Sequence, residues 1–215
     1  MAGANKPSKL YLVVETGPTA ADRLAAALSG ANPSSVLLVP STGRGLDAQT
    51  LLPLIATLQN AGVAALVADD AQLARVTKAD GVHLTWSKDI ARRAEEAREI
   101  LGARFIVGAD VGRSRHDAMV IGETDIDYIA FGIPAHVEDR ETARERRHEL
   151  CQWWAEIFQV PCVAFDVTDV EEAADIVTTG VDFVAITIPD AMSAAEIRAF
   201  VQAADTALAA YEPTV

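Results

Sequence analysis

Lysine is scarce in this chain, and so are cysteine, aromatic residues and long apolar runs. Of 215 residues only four are lysine, at positions 6, 9, 78 and 88. None stands at the end of an apolar run, where the lysine of a Schiff-base aldolase would have to be, so that chemistry is not expected. Two cysteines, Cys151 and Cys162, are too few for a disulfide framework or a metal knuckle and read as packing residues. The four histidines, His83, His116, His136 and His148, lack the paired spacing of a zinc hydrolase. No apolar run reaches membrane-spanning length, and the opening eight residues lack the apolar core of a signal peptide. A cytoplasmic location is therefore expected. The net charge of −13 argues against nucleic acid or an anionic membrane surface as partner, since both require cationic faces.

What the chain does have is apolar content, half of its residues, arranged as short runs alternating with amphipathic stretches. Eight such βα units can be read, with strands at Leu10–Val14, Val36–Val39, Ala64–Val67, Gly81–Leu84, Phe105–Gly108, Tyr128–Phe131, Cys162–Phe165 and Phe183–Ile186. Near-continuous Val, Ile, Leu and Ala is what strands buried on both faces require. An open dinucleotide-binding sheet would need a Gly-x-Gly-x-x-Gly turn after its first strand, and Glu15-Thr16-Gly17-Pro18 does not supply one. The expected architecture is a single (β/α)8 TIM barrel over residues 9–215, preceded by a disordered or extended tail over 1–8. Three strands are preceded by aspartate (Asp80, Asp127, Asp182), which reads as turn structure rather than chemistry.

In such a barrel the C-terminal rim carries the site. Here it would hold Glu15, Ser41, Thr42, Arg44, Asp69, Asp70, His83, Asp110, Arg113, Arg115, Asp166, Thr168 and Thr187. A ring of four inward carboxylates (Glu15, Asp69, Asp110, Asp166) calls for a cation, for arginines, or for raised carboxylate pKa values. Asp70 and Thr168 suit helix caps. The glycine-flanked arginines Arg44, Arg113 and Arg115, with Thr42 and His83, are the candidates for holding a small anionic ligand. The basic run Arg140–Arg147 reads as an ion-paired helix face. Trp153-Trp154 reads as helix packing, against the barrel or against a second copy in a homo-oligomer.

Ala68-Asp69-Asp70, followed eleven residues later by Asp80-Gly81-Val82-His83-Leu84, resembles the third and fourth strands of the thiamine-phosphate synthase and thiazole tautomerase family. There an Asn-Asp-Arg motif precedes Gly-Val-His-Leu-Gly-Gln-x-Asp. The resemblance implies transfer of a pyrimidine-methyl group from its diphosphate to a thiazole phosphate. It also implies Mg2+ held by Asp69 and, one residue late, Asp89, with Lys88 at the aspartate position itself. It implies a small phosphorylated or heterocyclic metabolite as partner. The family's Gln-x-Arg-x-Lys after strand two reads Leu37-Leu38-Val39-Pro40-Ser41-Thr42 here. Its Ile-Gly-Gly-Ile after strand seven reads Phe165-Asp166-Val167-Thr168. Weak or absent turnover is the expectation, and the alternative is a catalytically inactive binding protein of the same ancestry.

Overall fold

Each apolar run becomes a strand, and the eight strands close on themselves. The computed structural model describes residues 7–134 and 136–211. Strands β1 (Lys9–Thr16), β2 (Ser35–Pro40), β3 (Ala64–Ala68), β4 (Gly81–Leu84), β5 (Ile106–Asp110), β6 (Tyr128–Phe131), β7 (Cys162–Val167) and β8 (Phe183–Thr187) are parallel neighbours in chain order. The ring closes where Leu10 of β1 faces Val184 of β8. Helices α1 (Ala20–Gly30), α2 (Ala48–Asn60), α3 (Ala71–Thr77), α4 (Ile90–Leu101), α5 (Arg115–Gly122), α6 (Arg140–Ile157), α7 (Val170–Ile176) and α8 (Ala194–Ala209) follow their strands. No helix among the described residues is long and apolar enough to cross a membrane.

Several expectations shift, and β1, β2, β3 and β8 each run one or two residues past their expected bounds. β5 starts one residue later than Phe105 and runs on to Asp110. β7 extends to Val167 because a bulge against β8 lies between Ala164 and Val167, with Asp166 at φ 59°. Ser8, expected in the tail, is buried, and its hydroxyl donates to the Val181 carbonyl at 2.5 Å. Residues 1–6 of that tail, and 212–215, lie outside the described residues. The basic run is not only a solvated face, because Arg147 on α6 is 2% exposed.

Two apolar layers result. The outer one lies between strands and helices, where Trp154 stacks on Phe158 at 4.0 Å between ring centroids. Cys151 and Cys162 are buried free thiols, as their packing role requires. The inner layer fills the barrel with Tyr11, Leu37, Leu66, Tyr128, Val163, Phe165 and Ala185. Gly108 is needed there, since a Cβ at that position would sit 1.9 Å from Tyr128 Cζ. Tyr128 is thus able to cross the barrel, meeting Tyr11 Oη at 3.1 Å and His83 Nδ1 at 2.9 Å.

The aspartates before β4, β6 and β8 do one shared job. Asp80 accepts the Ala65 N–H at 2.8 Å, Asp127 that of Val107 at 2.8 Å, and Asp182 that of Cys162 at 2.9 Å. Each carboxylate therefore satisfies an amide near the start of the preceding strand, at the end of the barrel away from the mouth. Before β2 a serine holds the corresponding place, and Ser34 donates to the Leu10 carbonyl through both its amide and its hydroxyl. A buried amide left without a partner costs about 1–3 kcal/mol. Asp182→Ala is expected to lose about that much in urea denaturation, and Asp182→Asn, which keeps an acceptor oxygen, well under half of it.

Candidate ligand site at the barrel mouth

The β3–β4 arc of the mouth is closed by an ion pair. Asp69, left-handed at φ 58°, turns its carboxylate across to the next loop. Its Oδ1 accepts from Thr85 N at 2.8 Å and from Arg93 Nη2 at 2.7 Å, and its Oδ2 accepts the Thr85 hydroxyl. Arg93, on the first turn of α4, also donates to the Thr85 carbonyl at 2.9 Å. Partial burial would raise the Asp69 pKa, but the Thr85 and Arg93 donors outweigh it and hold the carboxyl below its usual range. Asp70 caps α3 by accepting from Leu73 N at 2.8 Å, as expected.

Across the mouth, β5 and β7 bring two carboxylates together over Gly132. A Cβ on that glycine would lie 2.9 Å from Asp110 Oδ2 and 2.8 Å from Asp166 Oδ2. The two oxygens are therefore less than about 6 Å apart, close enough for each charge to disfavour the other. Asp166 Oδ2 accepts from Ile133 N at 2.7 Å, and Asp110 Oδ1 from Gly112 N at 2.7 Å. Burial first, and then the Asp166 charge, push the Asp110 carboxyl up to about 7. Burial likewise raises Asp166. Trp86 completes this arc: its indole packs on Gly112, where a Cβ would be 2.7 Å from Nε1, and the residue is 43% exposed. A protonatable carboxyl beside an open aromatic face can donate to or accept from a planar heterocycle lying on that ring.

The β7–β8 arc is where barrels of this kind commonly seat phosphate on free amides. Here two amides of that arc have acceptors within the chain. Thr168 N donates to Glu172 Oε2 at 2.8 Å, and Glu172 N to Asp169 Oδ1 at 2.8 Å. Asp169, not Thr168 as expected, is the N-cap of α7. Glu172 is gripped in turn by Arg147 and by Arg144, the latter at 2.9 Å. Burial would raise its pKa, but the Thr168 amide and Arg147 hold it low. At α8, Ser193 and Glu196 form a reciprocal capping box. On β1, burial and the neighbouring Asp190 raise the Glu15 pKa, while the buried Arg23 pairs with Asp190.

Of the expected anion-binding residues, Arg115 and His83 are engaged by neighbouring aromatic residues, while Thr42, Arg44 and Arg113 stand on exposed loops. Arg44 lines a cleft of about 410 Å³ with Thr16, Gly17, Pro18, Gly45, Asp47 and Thr50. Thr42 and Arg113 are exposed on their loops. Arg115 opens α5 and lies over the Trp153 ring at 5.0 Å, on the outer flank of the barrel, so it does not reach into the mouth. His83 is 3% exposed and stacks on Phe165 at 4.4 Å between centroids. Burial lowers its pKa to about 4, so at neutral pH it offers an anion no positive charge. Asp89 is bound by Ser87 Oγ at 2.8 Å and by Arg92. Three residues that shape the mouth, Arg93, Arg147 and Arg23, carry no motif that marks them as site residues, whereas Trp86 falls with Thr85 on the Gly-Gln of the family motif.

The Mg2+ that the resemblance implies does not fit these residues. Mg2+ needs near-octahedral oxygen donors, whereas the Asp69 and Asp89 carboxylates already accept from Arg93, Thr85, Arg92 and Ser87. No group of three or more His, Cys, Asp or Glu side chains that could hold a metal occurs among the described residues.

Eight parallel strands with their polar side chains gathered at the C-terminal ends define a (β/α)8 barrel with its site at the mouth. Residues 10–188 match the family model described as thiamine monophosphate synthase. The chain is 33% identical over 210 residues to the thiamine-phosphate synthase of Erythrobacter litoralis, covering 94% of this chain and 96% of that protein. It is 37% identical over 185 residues to that of Rhodospirillum centenum, covering 83% and 86%. Among solved structures, thiamine phosphate pyrophosphorylase from Pyrococcus furiosus superposes with a TM-score of 0.73 at 20% identity, covering 95% and 97%. Tryptophan synthase from Mycobacterium tuberculosis reaches 0.71 at 15%, covering 96% and 95%, which shows that the barrel itself is widely shared. The chain belongs to the thiamine monophosphate synthase family.

The Asp110 carboxyl gives a pH signature. Its pKa is raised on folding, so between about 4 and 7 the native state holds the extra proton, and stability falls as pH rises through that window. Asp110→Asn keeps an acceptor for Gly112 N and removes the charge. At pH 8 it is expected to gain about 1–2 kcal/mol. A fully dry site would gain about 1.4 kcal/mol for every tenfold change in proton affinity, and the partly wet rim gives less. Near pH 4 the gain should disappear. Thermal melts across pH 4–9 check this.

Proposed function

We propose that this barrel binds a small heterocyclic metabolite at its mouth and performs the phosphate-dependent coupling of its family weakly or not at all. One observation carries the reading: the Thr168 and Glu172 amides beside β7 donate to Glu172 and Asp169 of the same chain. A phosphate arriving there would meet carboxylates in place of free N–H groups. Breaking those contacts would also strip Arg147 and Arg144 of their acceptor. On the opposite side of the ring, an anionic substituent has the Arg44 cleft available, which offers one guanidinium and the Asp47 carboxylate together.

The heterocycle fits the β5–β7 arc. Trp86 offers a ring face, while the Asp110–Asp166 pair offers both a hydrogen-bond donor and an acceptor near neutral pH. No covalent role for a protein side chain is needed in this reading. The barrel orients a planar ligand, holds a proton at Asp110, and excludes water below the mouth with Tyr128, Phe165 and His83. A second reading, full synthase activity, is favoured by the near-full-length similarity to curated synthases.

Steady-state assays with the pyrimidine diphosphate and thiazole phosphate in Mg2+ separate the two. The expected kcat/KM lies far below about 10⁴ M⁻¹s⁻¹, the lower edge of ordinary enzymes. Calorimetry should show the unphosphorylated pyrimidine and thiazole alcohols binding as well as their phosphates, within about threefold. A kcat/KM above that edge, or phosphates bound at least about tenfold more tightly (about 1.4 kcal/mol), would return the protein to the synthases.

A further inference from the structure

We propose that the Arg93 guanidinium is a built-in replacement for the divalent cation implied at Asp69, so that the mouth of this barrel works without a metal. The inference rests on family membership and not on the proposed loss of turnover.

The geometry is that of an occupied cation site. Asp69 adopts a left-handed backbone at φ 58°, uncommon for a residue with a side chain. That conformation brings its carboxylate to the loop after β4. Both oxygens are used: Oδ1 by Thr85 N and Arg93 Nη2, Oδ2 by the Thr85 hydroxyl. Arg93 is fixed from its other side as well. Its Nη1 donates to the Thr85 carbonyl at 2.9 Å and to Ser87 Oγ at 3.2 Å. The guanidinium thus ties the end of β3 to the loop after β4, with Nη2 giving Asp69 one charge-assisted hydrogen bond and Nη1 holding the loop.

Local charge points the same way. The segment from Lys88 to Arg93 carries Lys88, Arg92 and Arg93 against one carboxylate, Asp89, which Ser87 and Arg92 engage. A Mg2+ ion would have to displace a guanidinium, strip water from itself and enter a field already compensated by fixed cations. Mg2+ dehydrates reluctantly and demands near-ideal geometry, so it loses that competition. Arg93 supplies one positive charge in place of two, permanently, and with no dependence on the concentration of free metal. Its side chain remains 24% exposed, which leaves part of the guanidinium accessible from the mouth.

Electron paramagnetic resonance with Mn2+ alone as the probe tests this without any ligand or turnover. At about 1 mM, toward the weak end of protein sites for hard divalent cations, the wild-type protein is expected to leave the spectrum of free aqueous Mn2+ unchanged. Arg93→Met keeps the stem and frees Asp69; it should bind Mn2+ at least about tenfold more tightly than wild type. Adding Asp69→Asn should abolish that gain. Arg93→Lys, which keeps the charge, should gain nothing, and near-UV circular dichroism confirms that each variant is folded. Wild-type binding that Asp69→Asn removes would overturn the proposal. So would a folded Arg93→Met protein with no new Mn2+ site, because Arg93 would then be a brace and no substitute for a metal. Neither result bears on whether the protein turns over, which the assays above decide separately.

Discussion

A closed parallel barrel has no free sheet edge, so its unmet polar groups are forced to its two rims. The rest of this structure follows from how those rims are satisfied. At the lower rim, three aspartates and a serine take up the strand-start groups, one before each even-numbered strand. At the upper rim each odd-numbered strand ends in a carboxylate (Glu15, Asp69, Asp110, Asp166), but these four have different partners and answer to their surroundings individually. The lower rim is therefore a stabilising device, and the upper rim is free to vary in chemistry.

The upper rim divides by charge. From β3 to α4, and again around β7, carboxylates are matched by arginines of the same chain: Asp69 by Arg93, Glu172 by Arg147 and Arg144, Asp190 by Arg23. Between them, on β5 and β7, Asp110 and Asp166 face each other with no arginine in a salt bridge among the described residues, and burial favours their protonated forms. Two mouths could be built from one acidic sequence, a metal-binding one and a self-neutralised one. The arginines of α4 and α6 pair the carboxylates of the β3 and β7 arcs in the manner of the second.

The barrel interior constrains the mouth from below. His83, Tyr128 and Tyr11 form a hydrogen-bonded chain inside an otherwise apolar core, and Gly108 yields the space that Tyr128 needs. A neutral, stacked imidazole fills volume and fixes the Tyr128 hydroxyl. Its cationic form would be unpaired in a low-dielectric core, so it is disfavoured. The floor under the mouth is therefore hydrogen-bonded and uncharged near neutral pH.

The sequence by itself determined the fold. Eight apolar runs at regular spacing, each too short for a helix and too continuous for a half-exposed strand, admit few arrangements, and two strands, Gly81–Leu84 and Tyr128–Phe131, fell where the pattern put them. It also determined the structural role of Asp80, Asp127 and Asp182, because a recurring residue at a recurring place marks architecture. The partners of the rim side chains were decided only in the tertiary structure. Asp69 and Arg93 are separated by 24 residues and Arg147 and Glu172 by 25, and no local period connects such pairs. The glycine-rich neighbourhood of Arg115 suggests a ligand contact, and the start of α5 places its guanidinium over Trp153. Periodicity along the chain reports which face of an element is buried. Which charges meet depends on how the loops of neighbouring βα units fold toward each other, and that information exists only once the ring has closed.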